Sequence, residues 1–333
     1  MKTTYDFSKE LLLKVKPSMA FDGNNFETWQ KSAREKLSSL LGMENFEKCP
    51  DSIEIEYIKE IEHGTETRFT FESEAGYRVP CHMILPKGVK NPPILICLQG
   101  HTPGMHLSLG RELYPGDLDK IAEFDCDFCI RAAKEGFASI ALEQRNFGEL
   151  GLIKGMATCH EPSSNALLIG RTTIGERLWD VSRLIDVIET HFANKVDTKN
   201  ICLTGFSGGG TATAYIAALE DRLKLVMPAV SLCAFRLSIG AMSHCLCNFV
   251  PGIAKYFDMG DIMAMAYPKY YVQISGILDE GFPIEGCREA YAQGSLAYKV
   301  AGGEDRCVHI EGKGSHRFYV DEAWKVVHNF IGR

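Results

Sequence analysis

The stretch TGFSGGG, residues 204–210, sets one serine, Ser207, among four glycines, directly after the apolar run ICL and before TATAYIAAL, which reads as a helix. Residues 205–209 form a G-x-S-x-G pattern between a predicted strand and a predicted helix, the context that a nucleophile elbow requires. A strand that turns sharply into a helix forces its apex residue into a strained conformation, and side chains two places before and after would collide with neighbouring elements. Glycines at 205 and 209 remove those collisions. The helix N-terminus then aims free backbone N–H groups at the space above Ser207, where an oxyanion would develop, so the N–H of Gly208 is the first candidate donor. The competing reading is a turn that cradles a phosphate. Neither a G-x-x-x-x-G-K-[ST] pattern nor an acidic residue placed as in a dinucleotide site accompanies it.

A serine hydroxyl is a poor nucleophile unless a base takes its proton and a third group orients that base. In hydrolases built on such an elbow the partners follow in the order Ser, Asp or Glu, His. Downstream, YYVQISGILDEGFP is a strand running into a loop with Asp279 and Glu280; Asp279 comes first and is the preferred acid, with Glu280 the runner-up. Asp305 in GGEDRC precedes the last strand instead of following one. For the base, His309 lies within the apolar strand RCVHIEG and reads as structural, whereas His316 follows it in a Gly-rich loop before the final helix. A second oxyanion donor is expected from the loop in ILICLQGHTPGMH: the backbone N–H of His101 or Thr102, with Gly100 permitting close approach. Pro103 and Gly104 break any helix that would align His101 and His106 as a metal pair, so His101 is read as a backbone donor and pocket wall.

Around the elbow the chain alternates. IEIEYIKEIEH, ETRFTFES and YRVPCHMIL show period-two patterning and predict an antiparallel entry to a sheet. PPILICL, FASIAL, NICLTG, LKLVMPAV, KYYVQISG and RCVHIEG are nearly continuous apolar runs, as in strands covered on both faces, with helical patterns between them. The expectation is an α/β fold, a mostly parallel doubly wound sheet of about eight strands. In GERLWDVSRLIDVIETHF, the residues Leu178, Val181, Ile185, Ile188 and Phe192 form one helical stripe suited to core packing. Residues 1–50 are expected to be an N-terminal helical arm, with Phe26, Trp29, Ala33, Leu37 and Leu40 along one face. Residues 51–333 would then be a single catalytic domain, in which 231–267, rich in Met, Cys and aromatic residues, forms a lid-like connection. Exposed apolar surface there or on the arm would suit a homo-oligomer.

Composition excludes several classes. The 333 residues are 45% hydrophobic, enough for a sizeable core, and a formal charge of −7 gives no general attraction to nucleic acid or an anionic membrane. The N-terminus has only three leucines between lysines, far short of a secretory segment, and no run approaches a bilayer span, so a cytoplasmic location is expected. The twelve cysteines are too sparse for a disulfide scaffold and read as reduced, buried thiols. Cys126 and Cys129 in CDFC, with His244, Cys245 and Cys247 in SHCLCN, supply soft ligands for zinc in principle. No second C-x-x-C occurs at finger-like spacing, however, and DFCIRAAKEGF reads as an amphipathic helix with Cys129 and Ala133 inward. Neither a metal nor a cofactor is therefore expected.

The stretches LICLQGHTPGMH, EQRNFGE, ERLWDVSRLID, GFSGGG, CNFVPGIAKYFDMGDIMAMAYPKYYVQISGILDEGFP and KGSHRF resemble the acetyl xylan esterase and cephalosporin-C deacetylase branch of the α/β-hydrolases, near the dienelactone hydrolases. The likeness runs over roughly residues 20–330, and the block 247–283 is its most specific part. It implies a serine carboxylesterase fold acting on small ester groups, often acetyl esters of sugars. It also favours Asp279, which occupies the family's G-x-x-D position after the strand. The chain departs from that pattern in Gln99-Gly100-His101, where many members carry His-Gly, and in Gln144-Arg145-Asn146-Phe147-Gly148, where the deacetylases usually have Asp-x-Arg-Gly. A serine nucleophile where dienelactone hydrolases use cysteine argues against lactone specificity. Two other readings share the fold: a prolyl-oligopeptidase-type peptidase, for whose gating domain the arm leaves no room, and a hydrolase-fold binding protein that has lost catalysis, usually with a triad member missing. Arg145 reads as a salt-bridge partner that pins its loop, with Asp180 as the candidate carboxylate, or else as a substrate contact.

Overall fold

The computed structural model describes residues 1–332. Among these residues nine strands form one sheet in the order β1-β2-β3-β5-β4-β6-β7-β8-β9. The entry strands β1 (Ile53–Ile61), β2 (Gly64–Glu74) and β3 (Tyr77–Pro86) pair antiparallel, and β3 joins β5 antiparallel. From there β5 (Ala138–Leu142), β4 (Pro93–Leu98), β6 (Asp197–Phe206), β7 (Leu223–Ala229), β8 (Tyr270–Gly276) and β9 (Cys307–Gly312) run parallel. Each apolar run of the sequence is one of these strands. The sheet has one strand more than the approximate expectation because all three alternating segments at the entry pair fully.

Among the described residues ten α-helices accompany the sheet: α1 (Thr4–Lys14), α2 (Phe26–Leu41), α3 (Asp117–Phe124), α4 (Phe128–Lys134), α5 (His160–Leu168), α6 (Thr173–His191), α7 (Gly208–Leu219), α8 (Met259–Met265), α9 (Ile284–Val300) and α10 (Val320–Ile331). The central strands β4 and β5 are buried along their whole length. Two large apolar clusters follow, one on each face. The stripe Leu178, Val181, Ile185 and Ile188 of α6, with Phe192 just beyond its end, packs with α7 and Phe69, Phe71 and Ile96 in the first. Phe128, Cys129, Ala132 and Ala133 of α4 pack with Leu95 of β4, with Phe318 and with Trp324 of α10 in the second. This is the two-sided burial that continuous apolar strands demand.

The arm is tied down unevenly. α2 buries Phe26, Ala33, Leu37 and Leu41, and the Trp29 indole donates to the Met19 carbonyl at 2.8 Å. α1 buries nothing and touches residues 235–241, with the Tyr5 hydroxyl donating to the Ala241 carbonyl at 3.1 Å. The connection between β7 and β8 is divided as well. Residues 243–248 stand over the carboxyl ends of the strands, whereas α8 is buried in the core, away from that cavity. No described helix is long and apolar enough to cross a membrane.

Candidate active site

The turn from β6 into α7 carries Ser207 at φ 54° and ψ −116°, a conformation that L-residues avoid. Local packing enforces it. A Cβ at Gly205 would run into the Gly209 carbonyl, and one at Gly209 into the carbonyls of Leu98 and Gln99, so glycine is the residue that lets β4, β6 and α7 meet. The Ser207 N–H donates to the Ala229 carbonyl on β7 at 2.9 Å, which holds the apex against relaxing.

Two distant loops supply an acid and an imidazole. His316, after β9, faces Asp279, after β8, with Nδ1 2.7 Å from Asp279 Oδ2. The other carboxylate oxygen, Oδ1, accepts the N–H groups of Gly281 at 2.9 Å and Phe282 at 3.2 Å. Asp279 is buried, whereas Glu280 and Asp305 are exposed. The Phe282 ring stacks on His316 with centroids 5.9 Å apart, and Phe206 packs against it at 5.0 Å, so the imidazole has little freedom to swing. His309 stays in β9: its Nε2 lies 3.0 Å from the Ser275 hydroxyl, and burial pushes its pKa down to about 4.

Ser207, His316, Asp279 and His101 line one open cavity of about 660 Å³, together with Ser243, His244, Asn248, Glu280 and Ser315. At its floor Gly208 opens α7, whose first N–H groups have no carbonyl a turn earlier. The two candidates for the second donor separate. The Thr102 N–H donates to the Gly100 carbonyl at 2.8 Å, which favours the N–H of His101 as the candidate. Gly100 earns its place, since a Cβ there would sit 2.9 Å from the Phe206 ring and 3.0 Å from the Ser207 side chain.

One residue that the sequence reading passed over holds this loop. Glu143, at the end of β5, accepts from the Gln99 side-chain amide, from the Met105 N–H at 3.3 Å and from the Glu149 N–H at 3.2 Å. Its pKa is pushed up to about 8 by burial, against the pull of those N–H donors. The only trace in the sequence was an acid directly after an apolar run, a position it shares with many surface residues. Arg145 takes the structural option. Its Nε and Nη2 each lie 2.8 Å from the Asp180 carboxylate on α6, and Nη2 also reaches Glu74 at 2.7 Å.

The thiols and imidazoles weighed as soft ligands in the sequence do not meet as one group. Cys126 and Cys129 are core residues beside Phe128. His244 turns into the cavity wall, 3.2 Å from the Ser238 hydroxyl. His106 pairs with Asp117 at 2.8 Å and has no part in a metal pair with His101. Instead His101 meets Cys159, Cys245 and Cys247, and Cys159 had carried no signal.

A mostly parallel sheet with antiparallel entry, a serine at the strand-to-helix apex, and an imidazole–carboxylate pair delivered by the loops after the next strands together define the α/β-hydrolase class. The chain belongs to the Abhydrolase family, whose model, Abhydrolase_7, matches residues 2–301. It is 24% identical over 290 residues to the Bacillus subtilis (strain 168) protein named "Putative hydrolase YtaP", covering 86% of this chain and 93% of that one. Among solved structures, a "putative acetyl xylan esterase" from Bacteroides fragilis NCTC 9343 superposes with a TM-score of 0.83 at 15% identity, covering 100% of this chain and 96% of the other. A glucuronoyl esterase from Solibacter usitatus gives 0.66 at 15% identity, over 95% and 98% of the two chains. At such identities the structural likeness is one of fold. The resemblance read from the sequence therefore holds at the level of family and fold.

Proposed function

We propose that the protein is a serine carboxylesterase that hydrolyses small acyl esters, acetyl esters of hydroxyl-rich alcohols such as sugars first among them. The observation that carries the reading is Ser207, held at a positive φ, lining the same cavity as a His316 that is bound to Asp279. Ser207 Oγ attacks the ester carbonyl while His316 Nε2 takes its proton, forming the new C–O bond and placing negative charge on the carbonyl oxygen. The N–H groups of Gly208 and His101 stabilise that charge. Collapse of the intermediate breaks the bond to the alcohol, which leaves with the proton from His316. Water, deprotonated by the same imidazole, then cleaves the acyl-enzyme and restores Ser207.

Asp279 holds the imidazole in the tautomer with the proton on Nδ1, leaving Nε2 free to accept. The polar rim of Ser243, His244, Asn248 and Ser315 supports an alcohol with several hydroxyls, and the names of the similar solved structures point the same way. Ser207→Ala is expected to lower kcat/KM for an aryl acetate by about 10⁴-fold or more with an unchanged melting curve. A fluorophosphonate should label the wild type at Ser207 and leave the variant unlabelled. Near wild-type turnover by the variant would end the proposal. A panel of acetylated sugars, methyl uronates and short-chain aryl esters then assigns the alcohol.

A further inference from the structure

Three separate parts of the chain bring soft ligands to one point beside the cavity. His101 comes from the loop after β4, Cys159 is the residue before α5, and Cys245 and Cys247 flank Leu246 in the connection between β7 and β8. The four ligand atoms all lie within 4.8 Å of one another, and His101 Nε2 is 3.1 Å from Cys247 Sγ. Tetrahedral zinc, with bonds of about 2.3 Å to sulfur and about 2.0–2.1 Å to nitrogen, needs ligand atoms about 3.4–3.8 Å apart, so the widest separations would close by about 1 Å and the His101–Cys247 pair would open by a few tenths.

A second observation is independent of the ligands. Behind the thiols, the Arg177 side chain is 1% exposed and lies with its guanidinium 4.4 Å over the Phe147 ring. Its Nη2 donates to the Arg145 carbonyl at 3.3 Å, while Nε and Nη1 have no hydrogen-bond partner, and no carboxylate pairs with it among the described residues. The same Phe147 ring packs against Cys159, Cys245 and Cys247, so the guanidinium and the thiols share one buried pocket. A buried cation without a counter-ion is costly, and neutral thiols do not offset it. A zinc ion with three thiolates and one neutral imidazole carries one net negative charge, which Arg177 cancels.

We propose that His101 Nε2 and the thiolates of Cys159, Cys245 and Cys247 bind one zinc ion, which fastens the 243–248 wall of the cavity to the oxyanion loop. Binding displaces three thiol protons to solvent and leaves the imidazole neutral, with its proton on Nδ1. The closed set of four protein ligands makes the site structural. Its influence on turnover rests on the esterase reading, because residue 101 also offers the second oxyanion N–H, but the metal site itself does not.

The test is elemental analysis of the full-length protein, expressed with zinc supplied and purified without chelator or an immobilised-metal column. About one equivalent of zinc per chain is expected in the wild type and in Cys126→Ala, and a loss of most of it in Cys245→Ala and Cys159→Ala. Cys245 is only half buried, so its truncation leaves the core intact should Cys159→Ala fail to fold. In the wild type, exchange of zinc for cobalt should produce the intense visible absorption of tetrahedral cobalt thiolate. Chelation should lower the melting temperature and return three titratable thiols. Wild-type protein free of zinc, a disulfide among Cys159, Cys245 and Cys247, or equal zinc loss in Cys126→Ala would overturn the proposal. Esterase activity enters none of these readouts, so a catalytic failure and a metal failure are told apart.

Discussion

At Ser207 the backbone stores about 1–3 kcal/mol of conformational strain, and the surrounding contacts must exceed it for the hydroxyl to stay at the apex. The same scale sets the neighbouring carboxylates apart. Asp279 has one oxygen on His316 and the other on two N–H groups, while Glu280 is exposed. Asp279→Asn is expected to reduce kcat by about 10⁴-fold, since the amide can present its N–H to the imidazole and select the wrong tautomer. Glu280→Gln should change it less than about tenfold. Comparable losses in both variants would show that the acid had been misassigned. His309 titrates for a different reason. Burial lowers its folded pKa to about 4 from the ordinary 6.5, so the fold favours the neutral ring. Its contribution to stability is complete above pH 6.5 and is lost as the pH falls towards 4. Between pH 7 and pH 4 the wild type should lose about 3 kcal/mol more than His309→Gln in urea unfolding. Parallel losses would show that the ring does not titrate there.

At the scale of elements, the joint between β2, α6 and the segment after β5 depends on one guanidinium. Arg145 lies among Asp180, Glu74 and Glu176 and over the Tyr77 ring at 4.4 Å. Removing it leaves Asp180, itself fully buried, without a cation. Arg145→Met is therefore expected to cost about 3–5 kcal/mol of stability, and Arg145→Met with Asp180→Leu to regain much of it, because buried pairs are replaceable by apolar groups more readily than they are broken. Thermal unfolding measures both variants. A fall in kcat/KM larger than the loss of folded protein would assign Arg145 to substrate instead. The parts of this joint were visible in the sequence as an Arg after a core strand and an Asp on a helix. Glu74, which completes it, sits at the end of an antiparallel strand and carried no mark of its partner.

At the scale of the whole molecule, the order of strands decides which loops meet. β4 lies between β5 and β6, so the loop after β4 that carries His101 stands beside both the elbow and the segment after β5 that leads to Cys159. The connection leaving β7 then returns over the same end of the sheet to bring Cys245 and Cys247. Metal occupancy at that junction would set the mobility of the cavity wall. Among apo and zinc-loaded forms, amide exchange is expected to differ most at residues 99–105 and 243–250 and least in α8, which is core.

The sequence by itself determined the class of fold, the succession of strands and helices, and the sharp apex at Ser207. These follow from local physics: side-chain periodicity reports burial, and glycines two places either side of a serine report a steric requirement within a few residues. The folded chain decided what depends on distant returns. It committed the Thr102 N–H to a turn, set Glu143 beneath the loop after β4, and drew Cys159 to a histidine in another loop. Such meetings are set by where loops cross the end of a twisted sheet, and no period or spacing within a single segment encodes that.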